Sequence, residues 1–225
     1  MSKTIVITGA NRGIGYAMTK LCLARGDTVY ALCRKSSADL NQLQATFKLT
    51  IIENIDVSTE FGINNAVVAL KGITIDLLIN NAGILRNESL NDLNAETITE
   101  QFHVNALAPL QVSHALLPNL TNGSKIALIT SRMGSITDNT SGGRYGYRMS
   151  KAALNIAAMS LAQDLKADNI AVGIYHPGYV QTDMVNHSGD ISSDLAAERL
   201  IALMDNLSLS ETGVFKHSNG ETLPW

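Results

Sequence analysis

Short runs of β-branched and other apolar residues alternate along the chain with longer stretches in which apolar positions recur at helical spacing. Runs of about four to eight such residues are typical of strands, and the longer periodic stretches are typical of amphipathic helices. The pattern predicts strands at Ile5–Thr8, Thr28–Leu32, Leu49–Ile55, Ile75–Asn80, Ser124–Thr130, Ile170–Tyr175 and Gly213–His217. It predicts helices near residues 14–25, 38–46, 58–71, 94–119, 145–166 and 194–205.

This alternation predicts the fold class. Strands that alternate with helices form a parallel sheet that helices cover on both faces. We therefore expect an α/β protein, with residues 1–225 forming a single-domain, Rossmann-type, doubly wound parallel sheet of the seven predicted strands. In such sheets ligands bind beyond the carboxyl ends of the strands, where the strand order reverses. The residues that follow strands are therefore the first candidates for a site.

Composition and charge narrow the classes of protein that fit. The chain has 17 Lys and Arg against 20 Asp and Glu, a net charge of −3, so we expect no binding to nucleic acid or anionic membrane. Two cysteines are too few for a disulfide framework and indicate a reducing compartment. Because neither a signal peptide nor an apolar run of about 20 residues is evident, we expect a cytoplasmic protein. His103 and His114 lack a paired ligand spacing, so no metal site is expected.

A glycine-rich turn, Thr8–Gly15, follows the first predicted strand and leads into the first helix. Gly9 suits the tight turn, Gly13 lets the backbone approach a pyrophosphate, and Gly15 allows close packing of helix on strand. The helix N-terminus adds unpaired N–H groups and partial positive charge. The turn therefore predicts a dinucleotide site, and its candidate residues are Gly9, Asn11, Arg12, Gly13, Ile14 and Gly15. No Gly-Lys-Ser/Thr follows, which excludes a P-loop.

The end of the second predicted strand indicates which dinucleotide binds. An enzyme that uses NAD usually has an acidic residue about 20 residues beyond the glycines, where it binds the ribose 2′-hydroxyl. Here Cys33 takes that position, and Arg34 and Lys35 follow it. Since a guanidinium can bind a 2′-phosphate with two hydrogen bonds, Arg34 favours NADP(H) over NAD(H), and Arg12 could add a second charge. The alternative is that Arg34 and Lys35 are simply solvated at a strand end.

Tyr147 and Lys151 lie four residues apart at the start of a predicted helix, so their side chains share one face. A phenol has an ordinary pKa near ~10 and exchanges protons slowly at neutral pH. An ammonium at ~4 Å contributes roughly 4 kcal/mol at an effective dielectric of about 20, equivalent to roughly 3 pKa units. We therefore expect Lys151 to lower the pKa of Tyr147. The spacing alone is weak evidence, because it often arises by chance. Tyr145 has Met149 as its partner and is expected to pack or to form part of a lid.

Several motifs together resemble the short-chain dehydrogenase/reductase family, and in particular its C-factor/sniffer-like carbonyl reductase branch. The resemblance runs from residue 4 to the C-terminus and rests on the glycine turn, Asn80-Asn81-Ala82-Gly83, Asn105, Ser131, Tyr147, Lys151, Pro177-Gly178 and Thr182. It implies an NADP(H)-dependent oxidoreductase that interconverts a small-molecule carbonyl and an alcohol by hydride transfer, with Tyr147 as general acid/base. The alternative is a dinucleotide-binding regulatory or C-factor-like signalling protein in which catalysis is incidental.

The resemblance also implies roles for the other site residues. Ser131 would hydrogen-bond the substrate oxygen, Lys151 would hold the nicotinamide ribose, and Asn105 would help to carry a relay water. Further cofactor contacts are implied for Asp56, Val57, Asn81, Ala82, Gly83, Tyr147, Lys151, Pro177, Gly178, Val180 and Thr182. The alternative for Asn81 and Asp56 is ordinary turn and cap chemistry.

Two positions within this set need further argument from the residues themselves. Ser135 competes with Ser131 for the catalytic position, since Ser131 lies 16 residues before Tyr147 and Ser135 lies 12 before it. We prefer Ser131 because it directly follows a predicted strand.

Pro109 supports the proposed role of Asn105, because proline has no N–H for the carbonyl four residues earlier. A kink with a free Asn105 carbonyl oxygen is therefore expected.

Apolar helices and loops indicate the partners. Residues 152–162 and 107–117 are apolar almost all round, which predicts a homodimer or homotetramer formed through these helices; the alternative is that they pack within the chain. The expected substrate pocket is modest and mainly apolar, with contributions from Leu85, Met133, Tyr145, Val180, Met184 and Val185. No cationic cluster in the sequence indicates a carboxylate or phosphate substrate, so we expect a small or medium carbonyl compound.

Overall fold

The computed structural model describes residues 2–225 and contains one parallel sheet of seven strands. The strands are β1 (Thr4–Thr8), β2 (Thr28–Leu32), β3 (Leu49–Ile52), β4 (Ile75–Asn80), β5 (Leu120–Ile129), β6 (Ala171–His176) and β7 (Phe215–His217). Their order is β3-β2-β1-β4-β5-β6-β7, and every adjacent pair is parallel. The order reverses between β1 and β4, so the carboxyl ends of these two strands flank the crevice in which ligands are expected.

Helices cover both faces of the sheet. They are α1 (Gly13–Ala24), α2 (Ala38–Gln44), α3 (Glu60–Ala69), α4 (Ala95–Phe102), α5 (Ala108–Ala115), α6 (Tyr145–Asp164) and α7 (Ser193–Asn206). One core cluster packs α1, α2 and α7 against the sheet through side chains such as Met18, Leu40 and Leu200. The other packs α3, α5 and α6 against the opposite face through side chains such as Leu70 and Leu154. The predicted doubly wound α/β fold is thus confirmed.

The structure differs from the predicted elements in three places. β3 ends at Ile52 rather than Ile55, because Asn54 adopts a left-handed conformation (φ 60°) that an extended strand cannot contain. β5 begins at Leu120, and its pairing with β4 shifts register between Ile75 and Leu77. The helix predicted over 94–119 is two α-helices, α4 and α5, joined by a π-helical turn at His103–Leu107. Pro109, which has no N–H to donate, lies just beyond that turn.

None of the helices within residues 2–225 is both long enough and apolar enough to cross a membrane. Over the same residues, no group of three or more histidine, cysteine, aspartate or glutamate side chains is arranged to hold a metal ion.

Candidate active site

A cavity of about 1370 Å³ lies at the carboxyl ends of the strands, on both sides of the β1–β4 boundary. Its wall is built from the segments that follow β1, β2, β4, β5 and β6, together with the start of α6. Of the residues predicted for the site, those that line it are Gly9, Asn11, Arg12, Gly13, Ile14, Arg34, Asp56, Val57, Asn81, Ala82, Gly83, Tyr147, Lys151, Pro177 and Thr182. The sheet therefore gathers residues from widely separated parts of the chain into one cleft.

Five predicted site residues do not line the cavity: Gly15, Asn105, Ser131, Gly178 and Val180. Gly15 lies behind the glycine turn, where a side chain would collide with the Gly9 carbonyl and come within 2.6 Å of Asn81 Nδ2. Val180 is buried and forms a bridge with Ile191, which closes the loop after β6. Gly15 and Val180 therefore lie behind the residues that line the cavity.

The glycine turn is held by the segment that follows β4. Asn81 Nδ2 donates to the carbonyls of Thr8 (3.1 Å) and Gly9 (3.2 Å), and the Asn81 and Ala82 N–H groups both donate to Thr8 Oγ1. Gly9 has φ 65° and Gly13 has φ 53°, conformations that favour glycine. Asn81, which also lines the cavity, thus supports the turn through its side chain.

Charged residues at the far end of the cavity are arranged differently from the prediction in one respect. Arg34 and Lys35 both line the cavity beside Asp56. Hydrogen bonds from Ser58 lower the pKa of Asp56 against the opposing effect of burial, and the Arg34 charge adds to the lowering. Arg12, which was expected to assist Arg34, instead lies 3.6 Å from Asp183 in the loop after β6. This exposed ion pair places the Arg12 guanidinium beside Asp183, and both residues line the cavity.

The first turns of α6 bring Tyr147 and Lys151 to the opposite wall. Lys151 is buried, and its Nζ donates to the Ile129 carbonyl at 2.9 Å and lies 5.8 Å from the centre of the Tyr147 ring. Burial lowers the pKa of Lys151 to about 7. The same wall contains Ile129 and Thr130, and the Thr130 hydroxyl donates to Asn155 Oδ1.

The pKa of Tyr147 is shifted in the direction opposite to the one that the sequence predicts. Burial raises the pKa of Tyr147, while a hydrogen bond with the Ser131 side chain and the charge of Arg144 act to lower it. Lys151 does not contribute to lowering it, because its amine is turned toward the Ile129 carbonyl and is itself deprotonated readily. The expectation that Lys151 lowers the phenol pKa is therefore wrong for this geometry.

The two candidate serines occupy different environments. Ser131 follows β5 and lies within hydrogen-bonding reach of Tyr147, and its hydroxyl also accepts from the Met133 N–H at 3.1 Å. Ser135 is buried, and its hydroxyl accepts from the Asp138 N–H within its own loop. The structure therefore brings Ser131, and not Ser135, to Tyr147.

Asn105 lies in the π-helical turn between α4 and α5 and is fully buried. Its Oδ1 accepts from the Ile84 N–H at 2.8 Å, and its Nδ2 donates to the Ile84 carbonyl and to Ser150 Oγ. A methyl group built on Gly83 would lie 3.2 Å from Asn105 Oδ1 and 3.8 Å from Lys151 Nζ. Gly83 therefore lies between Asn105 and Lys151 and close to both side chains.

Glu88 is a site residue that the sequence analysis missed. Its side chain is buried, and the carboxylate accepts from Gly146 N (3.2 Å), Thr97 Oγ1 (2.7 Å) and Gln101 Nε2 (2.6 Å). Gly146 is the second residue of α6, and the N-cap residue of this helix, Arg144, makes no side-chain hydrogen bond to it. Glu88 therefore supplies the acceptor that the helix N-terminus would otherwise lack. No spacing or motif in the sequence marks a glutamate for this purpose.

The predicted substrate-binding residues are mostly placed elsewhere. Of the six expected, Met184 lines the cavity, whereas Leu85, Met133, Tyr145, Val180 and Val185 do not. Ile84, Arg86, His103 and Val104 line it instead. His103, an exposed residue for which only a metal site was considered, lies in the π-helical turn and lines this wall. Helical periodicity assumes regular winding, so it could not predict this orientation.

Comparison with known proteins assigns this architecture. A family model described as short chain dehydrogenase matches residues 3–191. The 1-hydroxy-2-glutathionyl-2-methyl-3-butene dehydrogenase of a Rhodococcus species is 35% identical, with 99% of each chain covered. The C-signal protein of Myxococcus xanthus is 40% identical over 67% of this chain and 93% of its own length. Among solved structures, the NADPH-bound carbonyl reductase from chicken fatty liver has a TM-score of 0.90 and 30% identity, with 100% and 99% of the two chains covered.

The lowered pKa of Lys151 generates a stability prediction. In the folded protein this amine loses its proton near pH 7, whereas in the unfolded chain it keeps the proton to an ordinary value of 10.5. Unfolding between these values takes up a proton, so the Lys151 contribution to the free energy of unfolding rises with pH, by up to about 1.4 kcal/mol per pH unit. Urea denaturation at pH 7 and pH 9 should show a larger gain in wild type than in Lys151→Met.

Lys166→Met, on the exposed end of the same segment, serves as the control and should behave as wild type. Equal pH dependence in wild type and Lys151→Met would mean that the buried amine keeps an ordinary pKa.

Proposed function

The chain belongs to the short-chain dehydrogenase family, and on that premise we propose that it is an NADP(H)-dependent oxidoreductase that interconverts a carbonyl and an alcohol. Tyr147 is the general acid/base of this proposal. The observation that carries it is the placement of Tyr147, with Ser131 and Lys151 beside it, on one wall of a cavity whose opposite end contains the glycine turn and Arg34. A protein that only binds a dinucleotide has no need of a titratable phenol at that position.

The cavity fits a dinucleotide by its size and by the chemistry of its wall. Its volume of about 1370 Å³ exceeds the range of roughly 300–1,000 Å³ that drug-sized ligands usually fill. The backbone of Gly9–Gly13 and the N-terminus of α1 would hold the pyrophosphate. Asp56 and Val57 would contact the adenine, and Thr182 and Pro177 would contact the nicotinamide end. When bound, the cofactor supplies or accepts the hydride.

NADP(H) rather than NAD(H) is favoured by the charges after β2. The position that usually bears an acid in NAD enzymes is Cys33, which is buried. Arg34 and Lys35 line the cavity, and no carboxylate lies within 4.0 Å of Arg34 among residues 2–225. The chicken carbonyl reductase, which has the same fold, contains NADPH. Arg34 is therefore available for a 2′-phosphate.

The proton chemistry falls to residues of this chain. Tyr147 donates its proton to the carbonyl oxygen in reduction and removes it from the alcohol in oxidation. Ser131 donates a hydrogen bond to the same oxygen and so polarises the carbonyl. Lys151 is positioned to bind the nicotinamide ribose, and Asn105, at the π-helical turn, is proposed to carry a water that relays the proton.

The catalytic role of Tyr147 is tested by Tyr147→Phe, which removes the hydroxyl and keeps the ring. Reduction of carbonyls by NADPH should fall by about 10²–10⁴-fold, because a general acid contributes about that much. NADPH binding should stay as in wild type. The measurement is NADPH oxidation over aldehydes, ketones and a glutathione conjugate, the last because of the Rhodococcus relative's name.

The signalling alternative makes the opposite prediction in the same experiment. If wild type and Tyr147→Phe bind NADPH equally and neither reduces any carbonyl, the protein is a dinucleotide-binding regulator. Ser135→Ala provides the matched control, since its hydroxyl serves only its own loop and its loss should spare turnover.

Cofactor choice is tested by Arg34→Asp. An aspartate would repel a 2′-phosphate and accept a hydrogen bond from a ribose 2′-hydroxyl, so the preference should shift from NADPH toward NADH by at least about tenfold. The readout is the ratio of Kd values for the two reduced cofactors. An unchanged ratio would show that Arg34 does not contact the phosphate.

We also propose that the protein forms a homodimer or homotetramer through α6. Met149 (56% exposed) and Ile156 (67% exposed) lie seven residues apart on its outer face, whereas the apolar residues of α5 are covered within the chain. Sedimentation of wild type at micromolar concentration should give an oligomer, and Ile156→Glu should give a monomer. Val68→Glu, at an equally exposed position of α3, should leave the oligomer intact. A monomeric wild type would refute this proposal.

A further inference from the structure

The turn that leads into α6 has an unusual backbone. Gly142, Gly143 and Arg144 are three successive residues with positive φ, at 63°, 63° and 51°. Glycine adopts this conformation freely, but for an arginine it is unfavourable. Non-glycine residues in such conformations concentrate at functional sites, where the surrounding structure compensates for the strain. The positive φ of Arg144 therefore makes it a candidate functional residue.

The surroundings fix Arg144 in this conformation. Its N–H donates to the Glu88 carbonyl at 2.8 Å. One turn later, Arg148 donates through Nε to the Gly143 carbonyl at 3.1 Å and through Nη2 to Ser141 Oγ at 2.9 Å. The loop is thus tied to the helix on both sides of Arg144, and the direction in which its side chain leaves the backbone is determined.

The Arg144 guanidinium extends over the catalytic side of the loop. Its Nη1 lies 3.9 Å from Met133 Sδ, two residues beyond Ser131. Its charge also acts to lower the pKa of Tyr147, which agrees with a position near the phenol. Arg144 is exposed and lies three residues before Tyr147, at the N-cap of α6.

The charge of Arg144 is not neutralised by a carboxylate. Of the eight arginines in the chain, Arg12, Arg25, Arg86 and Arg132 form ion pairs. Within residues 2–225, no carboxylate oxygen lies within 4.0 Å of Arg144. The nearby Glu88 carboxylate is buried and directed to Gly146, Thr97 and Gln101. An unpaired guanidinium near a general acid is suited to bind an anionic group of the substrate.

We propose that Arg144 is a substrate-binding residue and that the preferred substrates are carbonyl compounds bearing a carboxylate. This inference rests on the proposed reductase function and specifies its substrate class. The carboxylate accepts hydrogen bonds from the guanidinium while the carbonyl oxygen lies at Ser131 and Tyr147. Arg144 thereby orients the substrate through a group that does not react.

The test compares 4-formylbenzoate with its neutral analogue, methyl 4-formylbenzoate. Wild type should reduce the carboxylate with a kcat/KM at least about tenfold above that of the ester. Arg144→Gly permits the left-handed backbone and removes the side chain together with its charge, so it should lower kcat/KM for the carboxylate about 10–100-fold, mainly through KM. Any effect of the lost charge on the pKa of Tyr147 acts on both substrates, so the ratio of kcat/KM for the carboxylate to that for the ester should fall about 10–100-fold. Arg199→Gln, which removes another unpaired arginine on α7, should change neither substrate.

The outcomes separate this inference from the reductase proposal. Equal reduction of both compounds by wild type and by Arg144→Gly would overturn the inference and leave the reductase function intact. If no carbonyl is reduced by any variant, the reductase proposal fails. The role of Arg144 is then tested by measuring the binding of a carboxylate. Calorimetric titration of the NADP⁺-loaded protein with 4-methylbenzoate should then give binding in wild type and none in Arg144→Gly. Identical or absent binding in both proteins would overturn the inference.

Discussion

The geometry of the site depends on how the N-terminus of α6 is anchored. The first N–H groups of a helix have no partner within the helix, and here the Glu88 carboxylate accepts from Gly146 N. A buried carboxylate is costly unless it is hydrogen-bonded, and this one has three donors and the positive end of a helix dipole beside it. Glu88 thereby fixes the turn on which Arg144, Tyr147 and Lys151 are displayed.

The close packing of α4 against α6 also holds the N-terminus of α6 in place. A side chain on Gly146 would come within 2.9 Å of Ile98 Cα and would collide with Gln101 Nε2. Gln101 in turn accepts from the Arg86 N–H and donates to Glu88. The Arg86–Glu88 segment, α4 and the first turn of α6 therefore form one hydrogen-bonded unit. A displacement at any of these three points moves Tyr147 relative to the cavity.

The sequence predicts the fold and most of the residues that line the cavity, and it fails where side-chain direction matters. Strand–helix alternation is a repeated signal, and glycines such as Gly9 follow strand ends directly, so these features survive errors of a few residues. Spacing does not show where a loop side chain turns, so it could not predict that Arg12 pairs with Asp183. The π-helical turn that brings His103 to the wall, and the partnership of Glu88 with Gly146, arise from tertiary packing that no local pattern records.

The burial of Tyr147 and Lys151 also bears on the direction of the proposed reaction. Burial favours the neutral form of both groups, so the phenol keeps its proton at neutral pH while the amine loses its proton near pH 7. Reduction of a carbonyl requires a protonated general acid, whereas oxidation of an alcohol requires the phenolate. The site as folded therefore holds Tyr147 in the form that reduction uses. Oxidation of an alcohol requires additional positive charge near the phenol to lower its pKa. A bound oxidised nicotinamide ring would supply that charge, whereas Lys151, which is turned toward Ile129, does not.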